Sequence, residues 1–598
     1  MATPTTSDAQ CSMGLVSRKC SAAAGYDSST CVPYAGRCYT TYQPAQCSAH
    51  SDCSTSWTGE CTNRKGASSL FCRHTGAFGA CECVAPMFSV RMWPSSIFPE
   101  QCTPGLIPAG ATLSIALSGG GCRALSAALG MFRYLRSVNK DRAARYVSSV
   151  SGGSWFYGLY SFAQGRGYTA ASLLGASRAP AAITLANLDA DNFQAGSAFI
   201  GVPCTNADLI PYVLAAQAPG NNVPYNEGWN WAIAQIFLKP YGLHENVPIA
   251  ASAEHAASIE ARNRQLGPAL VPVAGSPFWL SNVVFQHSSI PDSEKFPSGV
   301  MTPLYSGMSA ARAGSVNVGG VSVETFGLGT NAPSVATISA IRSAACAGVT
   351  ATIPAVRNEV VSLKGMIGVS SAAYIGWVLD KLPVTSGLLP AYNMWPLSTS
   401  GSTASTTMFA GDGAMVDNTG ILPLLARGER KILALLSAAE VITAEACTSD
   451  INHLFGVLSA CTVDYSNAGV RTAQVFRSID FPAFKAQLLS TRAAGGPCFA
   501  RANLMVQPNA IQGVRGGYTV SLLMVVLQPC AQFNALLPAA VRAEFAAGKS
   551  LANFPLFKTM VQNPPNVIQY TKRQVNLLAS QVDWMFRQAS IQTAMASL

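Results

Sequence analysis

Charge is scarce in this chain: Asp, Glu, Lys and Arg together make up 11% of its 598 residues, against about 25% in an ordinary globular protein. Such a surface suits contact with lipid. The net charge of +10 is dispersed, and without a basic run or a binding motif nucleic acid is excluded as a partner. Histidine is rarer still, limited to His50, His74, His244, His255, His287 and His453. No apolar stretch reaches the roughly 20 residues that a membrane-spanning helix needs, the best one (365–377) staying free of charge for only about fifteen. The N-terminus has no basic segment followed by an apolar one, so no secretory signal is expected, and no Asn-x-Ser/Thr acceptor occurs. Metal spacing is missing too. The C-x-C at Cys81 and Cys83 lacks the paired C-x-x-C of common zinc sites, and neither metal nor other cofactor is expected.

What the chain does have is cysteine, unevenly spread. Ten of the 18 fall at Cys11, Cys20, Cys31, Cys38, Cys47, Cys53, Cys61, Cys72, Cys81 and Cys83, among Ser, Thr and Gly with few large aliphatics. A segment so poor in core residues needs staples, so residues 1–90 read as a small disulfide-rich module with unassigned pairing. That favours an extracellular or secretory-lumen setting, against which the missing signal stands; the alternative is a cytoplasmic, membrane-peripheral protein. Residues 91–110 read as linker and entry strand, and 111–598 as one large domain. Residues 190–400, with loop-rich stretches and the aromatics Trp229, Trp231 and Phe237, are expected to include a cap. Cys447 and Cys461 are placed to bridge a loop.

Two glycine turns organise the large domain. Leu113–Leu117 reads as a buried strand running into Ser118-Gly119-Gly120-Gly121-Cys122-Arg123 and a helix from Ala124 to Leu135. Consecutive glycines let bare amides converge on one point, a site for negative charge. About thirty residues on, Arg145–Val150 reads as a second strand, Ser151 as the turn and the following residues as an apolar-faced helix. Ser149-Val150-Ser151-Gly152-Gly153 departs from the G-x-S-x-G nucleophile elbow only at its first glycine. A flexible Ser/Gly loop is the plain alternative. Between the turns lie Arg133, Arg136, Lys140, Arg142 and Arg145, either a face for anionic lipid or an ordinary solvated helix face.

These two turns, S-G-G-G-x-R then x-S-G-G-S-W, resemble the catalytic domain shared by cytosolic phospholipase A2 and fungal phospholipase B, distantly patatin-like. The resemblance runs from about Ala111 to near Trp584. It implies an α/β fold with a central mixed sheet flanked by helices, and a Ser–Asp dyad that cleaves fatty-acyl esters of phospholipids or lysophospholipids at a membrane or micelle surface. By this resemblance Ser151 is the nucleophile, Gly120 and Gly121 supply oxyanion amides, and Arg123 binds the substrate phosphate. The base opens a D-G-A turn, which makes it Asp412, with Asn418 six residues later; Asp417 is the fallback, and an Asx-type turn cap is the plain reading of either. No calcium-binding lipid-docking domain is visible, so calcium dependence is not assumed. His453 follows Asp412 and permits a Ser151, Asp412, His453 triad on chain order alone. Cys122, inside the first turn, is a rival nucleophile. Neutral-lipid or galactolipid hydrolysis, and a silent lipid-binding or adhesive protein, are the competing functions.

Overall fold

The computed structural model describes residues 87–598 except 217–222, 224, 287–297, 314–315, 331–332, 355–359, 374–389, 398–404, 446–448, 459–461, 464–471 and 559–568. It also describes four earlier strands, Cys31–Tyr34, Arg37–Thr40, Phe71–His74 and Cys81–Val84, which form a small antiparallel sheet. The cysteine pairing expected within residues 1–90 and a Cys447–Cys461 bridge lie outside the described residues.

A 13-stranded mixed sheet carries the rest. Its strands in chain order are β1 (Met87–Pro94), β2 (Leu113–Leu117), β3 (Ala144–Ser149), β4 (Phe278–Gln286), β5 (Ser298–Met301), β6 (Tyr305–Met308), β7 (Val321–Glu324), β8 (Val349–Pro354), β9 (Ala391–Met394), β10 (Thr406–Asp412), β11 (Lys431–Leu436), β12 (Cys498–Val506) and β13 (Tyr518–Val526). The spatial order is β8-β1-β7-β6-β5-β4-β3-β2-β11-β13-β12, with β10 on β4 and β9 on β10. β4, β3, β2, β11 and β13 run parallel; their neighbours are antiparallel. The central strands are near-continuous apolar runs because both their faces are covered. In β11, Leu433 and Leu435 enter one core and Ile432, Ala434 and Leu436 the other.

Residues 87–94, assigned from sequence to the end of the cysteine-rich unit and the start of the linker, are an interior strand of this sheet: β1 pairs with both β7 and β8. The stretch 190–400 contributes β4 to β9 to the sheet, together with helical segments such as Ala253–Arg262 and Val335–Arg342. Two disulfides tie the large domain, Cys102–Cys346 and Cys122–Cys204. Cys122 is therefore bonded, which corrects its reading as a rival nucleophile.

Four helices frame the parallel strands: α1 (Gly121–Ser137), α2 (Gly152–Gly165), α3 (Leu363–Val369) and α4 (Lys572–Phe586). α1 presses its Gly130 against α4, where a Cβ would sit 2.3 Å from the Ala579 carbonyl oxygen. α2 buries nearly every side chain, stacking Trp155 on Phe237 at 4.3 Å between ring centroids.

Candidate active site

β2 and β3 are adjacent and parallel, so the turns that follow them open at the same sheet edge, the edge where α/β sheets bind ligands. The third element reaches that edge from the opposite direction. Ser281 of β4 pairs with Ser149 on one side and Met301 on the other; Val283 pairs with Asp412 and Gly299. Since β5 holds one border of β4, β3 and β10 must share the other and meet head to head. This places Asp412 at the end of Ser151's own strand line.

Ser151 adopts φ 51° and ψ −120°, a left-handed conformation that a side chain adopts only under constraint. The constraint is visible. Its N–H is held by Ser370, through the carbonyl at 3.0 Å and the hydroxyl at 3.1 Å. Ser370 in turn donates to the Asn282 carbonyl at 2.7 Å, and Asn282 Nδ2 donates to the Ser149 carbonyl at 2.7 Å. The missing first glycine of the elbow is explained as well. Ser149 Oγ meets Ser154 Oγ at 2.9 Å and accepts from Trp279 Nε1 at 2.8 Å, so a hydroxyl belongs there. The glycines beside the nucleophile are steric necessities: a Cβ on Gly152 would lie 2.0 Å from the Gly121 carbonyl oxygen, and one on Gly119 2.4 Å from Asn418 Oδ1.

Asp412 is 1% exposed. Burial pushes its carboxyl up to about 7, opposed by the Ala414 N–H, which donates to Oδ1 at 2.9 Å, and by the influence of the nearby Ser151 hydroxyl. Asp417 is also buried and raised, yet its oxygens accept from Thr419 and from the Leu422 N–H, capping the turn into the helical segment Leu422–Ala426. Only Asp412 faces Ser151. His453 is half-buried, its imidazole pushed down by burial, and it is absent from the groups that act on Asp412.

Gly120 and Gly121 take φ values of 127° and 55°, and their N–H groups bond no protein acceptor among the described residues. The turn is fastened by Asn418, whose Oδ1 accepts from the Gly119 N–H at 3.0 Å while its Nδ2 donates to Asp450 Oδ2 at 3.1 Å. Arg123 is buried, giving Nη1 to the Phe557 carbonyl at 2.7 Å and Nη2 to the Ser437 carbonyl at 3.2 Å, with Nε unbonded among the described residues. Burial lowers its pKa against the pull of Tyr570 and Asp450.

No family model and no curated protein matches the sequence. Among solved structures, similar chains include human GIVD cytosolic phospholipase A2, at 12% identity and a TM-score of 0.44 over 83% of this chain and 64% of that one. The same human protein in complex with methyl γ-linolenyl fluorophosphonate and terbium chloride gives 12% and 0.35 over 87% and 67%, and with the fluorophosphonate alone 11% and 0.35 over 88% and 68%. The chain thus spans under two thirds of the first of these. Identity so low leaves the chemistry to this chain's own side chains.

Sequence reasoning missed Ser370, Asn282 and Asp450. Ser370 lies within the charge-free stretch 365–377, but no local pattern marks it as the residue that holds the elbow. The basic cluster does not form one face. Arg133 is buried and donates to the Leu174 carbonyl, Arg136 meets Asp141, Arg142 bonds Gln164, and Arg145 pairs with Glu429. Among the described residues no helix is long and apolar enough to cross a membrane, and no group of His, Cys, Asp and Glu could hold a metal.

Proposed function

We propose that the chain is a serine acyl hydrolase that cleaves fatty-acyl esters of phospholipids or lysophospholipids. The observation that carries this reading is the buried Asp412 carboxyl, raised toward neutrality, at the sheet edge where Ser151 is held in a left-handed turn. A free aspartate, with a pKa of about 3.9, is a poor base. Raised to about 7, Asp412 is matched to neutral pH, where a general base works best. It takes the Ser151 proton as Oγ attacks the ester carbonyl, and the developing oxyanion is met by the Gly120 and Gly121 amides. The alcohol leaves with that proton, and water then attacks the acyl-serine, its proton passing by way of Asp412 to Ser151 Oγ as the C–Oγ bond breaks and the fatty acid leaves. Arg123 offers Nε to the substrate phosphate.

The burial of Arg123, with two of its donors committed to carbonyls, supports a second reading in which the ester is that of a neutral lipid or galactolipid. Fatty-acid release from phosphatidylcholine, lysophosphatidylcholine and monogalactosyl lipid vesicles tests both. Ser151→Ala and Asp412→Asn are expected to lose about 10²–10⁴-fold or more, with His453→Ala unchanged. Loss in His453→Ala would replace the dyad with a triad, and phospholipid cleavage indifferent to Arg123→Lys would favour the neutral ester.

A further inference from the structure

The antiparallel part of the sheet holds a cleft that this chemistry does not use. Its volume is about 300 Å³, at the low end of the roughly 300–1,000 Å³ of small-molecule sites. Gly299 on its wall pairs with Val283 across β4 from Asp412, two strands away. The cleft nevertheless opens on the other face: Val283, directly opposite Asp412, belongs to the core under α1 and α2, whereas Tyr305, Leu422 and Val300 belong to the second core.

Gln512 gives the cleft its chemistry. The residue is 7% exposed, and its Oε1 and Nε2 are both buried with no hydrogen-bond partner among the described residues. A buried amide unsatisfied at both ends is costly. One acceptor and two donors in a fixed plane complement adjacent hydroxyl groups. Ser95, Ser298, Ser309 and Ser322 line the same space, and their hydroxyls are likewise unpaired among the described residues.

Of the charged side chains on its wall, Arg515 is exposed to solvent and Arg427 is already committed. No carboxylate lines the cleft. The Arg427 guanidinium on its wall is consumed by Glu100 at 2.7 Å, the Pro423 carbonyl at 2.9 Å and the Tyr305 hydroxyl at 2.6 Å. Val300, Leu422 and Pro423 add apolar surface for the C–H face of a ring. We propose that this cleft binds a polyhydroxylated ring, a pyranose or a cyclitol, presented free in solution or as a lipid headgroup.

The test uses the full chain. Titration calorimetry with glucose and with myo-inositol is run beside flotation on phosphatidylcholine vesicles with and without a monogalactosyl lipid. Saturable binding of a free ring, weakened about tenfold or more by Gln512→Leu through loss of the amide's hydrogen bonds, is the expected result. Ser309→Phe, which fills the cleft from its rim, should weaken it as well and serves if Gln512→Leu fails to fold. Added flotation by the galactolipid that both variants remove identifies a headgroup; binding of free rings alone identifies a soluble ligand. Absence of saturable binding in either format, or binding indifferent to both variants, overturns the proposal.

Discussion

The centre of the sheet, where Ser151 and Asp412 come to one edge, and its antiparallel flank both bury carboxylates, and they treat them in opposite ways. Glu324, at the end of β7, is fully enclosed, but Arg262 grips it at 2.6 and 2.8 Å and His255 at 3.0 Å. Burial alone would raise its pKa; those partners outweigh burial and lower it. Asp412 has no cation to compensate, and burial drives it up to about 7. A paired buried acid holds elements together, whereas an unpaired one beside a strained serine is poised to exchange a proton.

If that contrast is right, the two sites fail differently. Asp412→Asn should cost about 10²–10⁴-fold in kcat, the range for a lost general base, with the fold intact by circular dichroism. Glu324→Ala should leave kcat alone and lower the urea midpoint, since stranding buried partners costs about 3–5 kcal/mol. The exchange of these two outcomes would undo the comparison.

Acidity separates the sites further. A base must be ionised to act, so kcat should climb with pH and level off above about 7, following Asp412. Stability runs the other way at this residue. Its carboxyl binds a proton more tightly folded than unfolded, so its contribution falls as pH rises from the ordinary carboxylate range through the folded value of about 7. Asp412→Asn should therefore be more stable than the unaltered chain at pH 8, by on the order of a few kcal/mol, with the gain shrinking toward pH 4. Urea titrations at the two pH values measure it.

The smallest expected effect concerns positioning. Asn418→Ala removes the side-chain acceptor from the Gly119 N–H, loosening the oxyanion turn without touching the ester. A loss of about tenfold in kcat with KM nearly constant is expected, less than for deleting a donor outright. A change in KM alone would assign Asn418 to substrate binding.

The centre was also the more legible half. Leu113–Leu117, Lys431–Leu436 and the strand before Ser151 announce themselves as apolar runs ended by glycine or serine turns, and the helix after the first turn starts at Gly121, three residues before the expected Ala124. The turns that carry Ser151, Asp412 and the two glycines stand out in the sequence because turn chemistry is local, while the roles expected of these residues came from the family resemblance. The flank could not be read this way. β5, β6 and β7 are four residues each, rich in Ser and Gly, and their pairing is set by distant strands. Hydrogen bonds across long separations were equally invisible: Ser370 reaches Ser151 over 219 residues. The arginines between the turns looked like a surface because sequence gives their spacing but not the carbonyls and acids to which they fold back.

The nucleophile itself is the most direct test. Treating the intact chain with a long-chain alkyl fluorophosphonate, which phosphorylates activated serines, and mapping the adduct by peptide mass spectrometry should place it on Ser151, with labelling slowed sharply in Asp412→Asn. Modification of a different residue, or full ester hydrolysis by Ser151→Ala, would contradict the account.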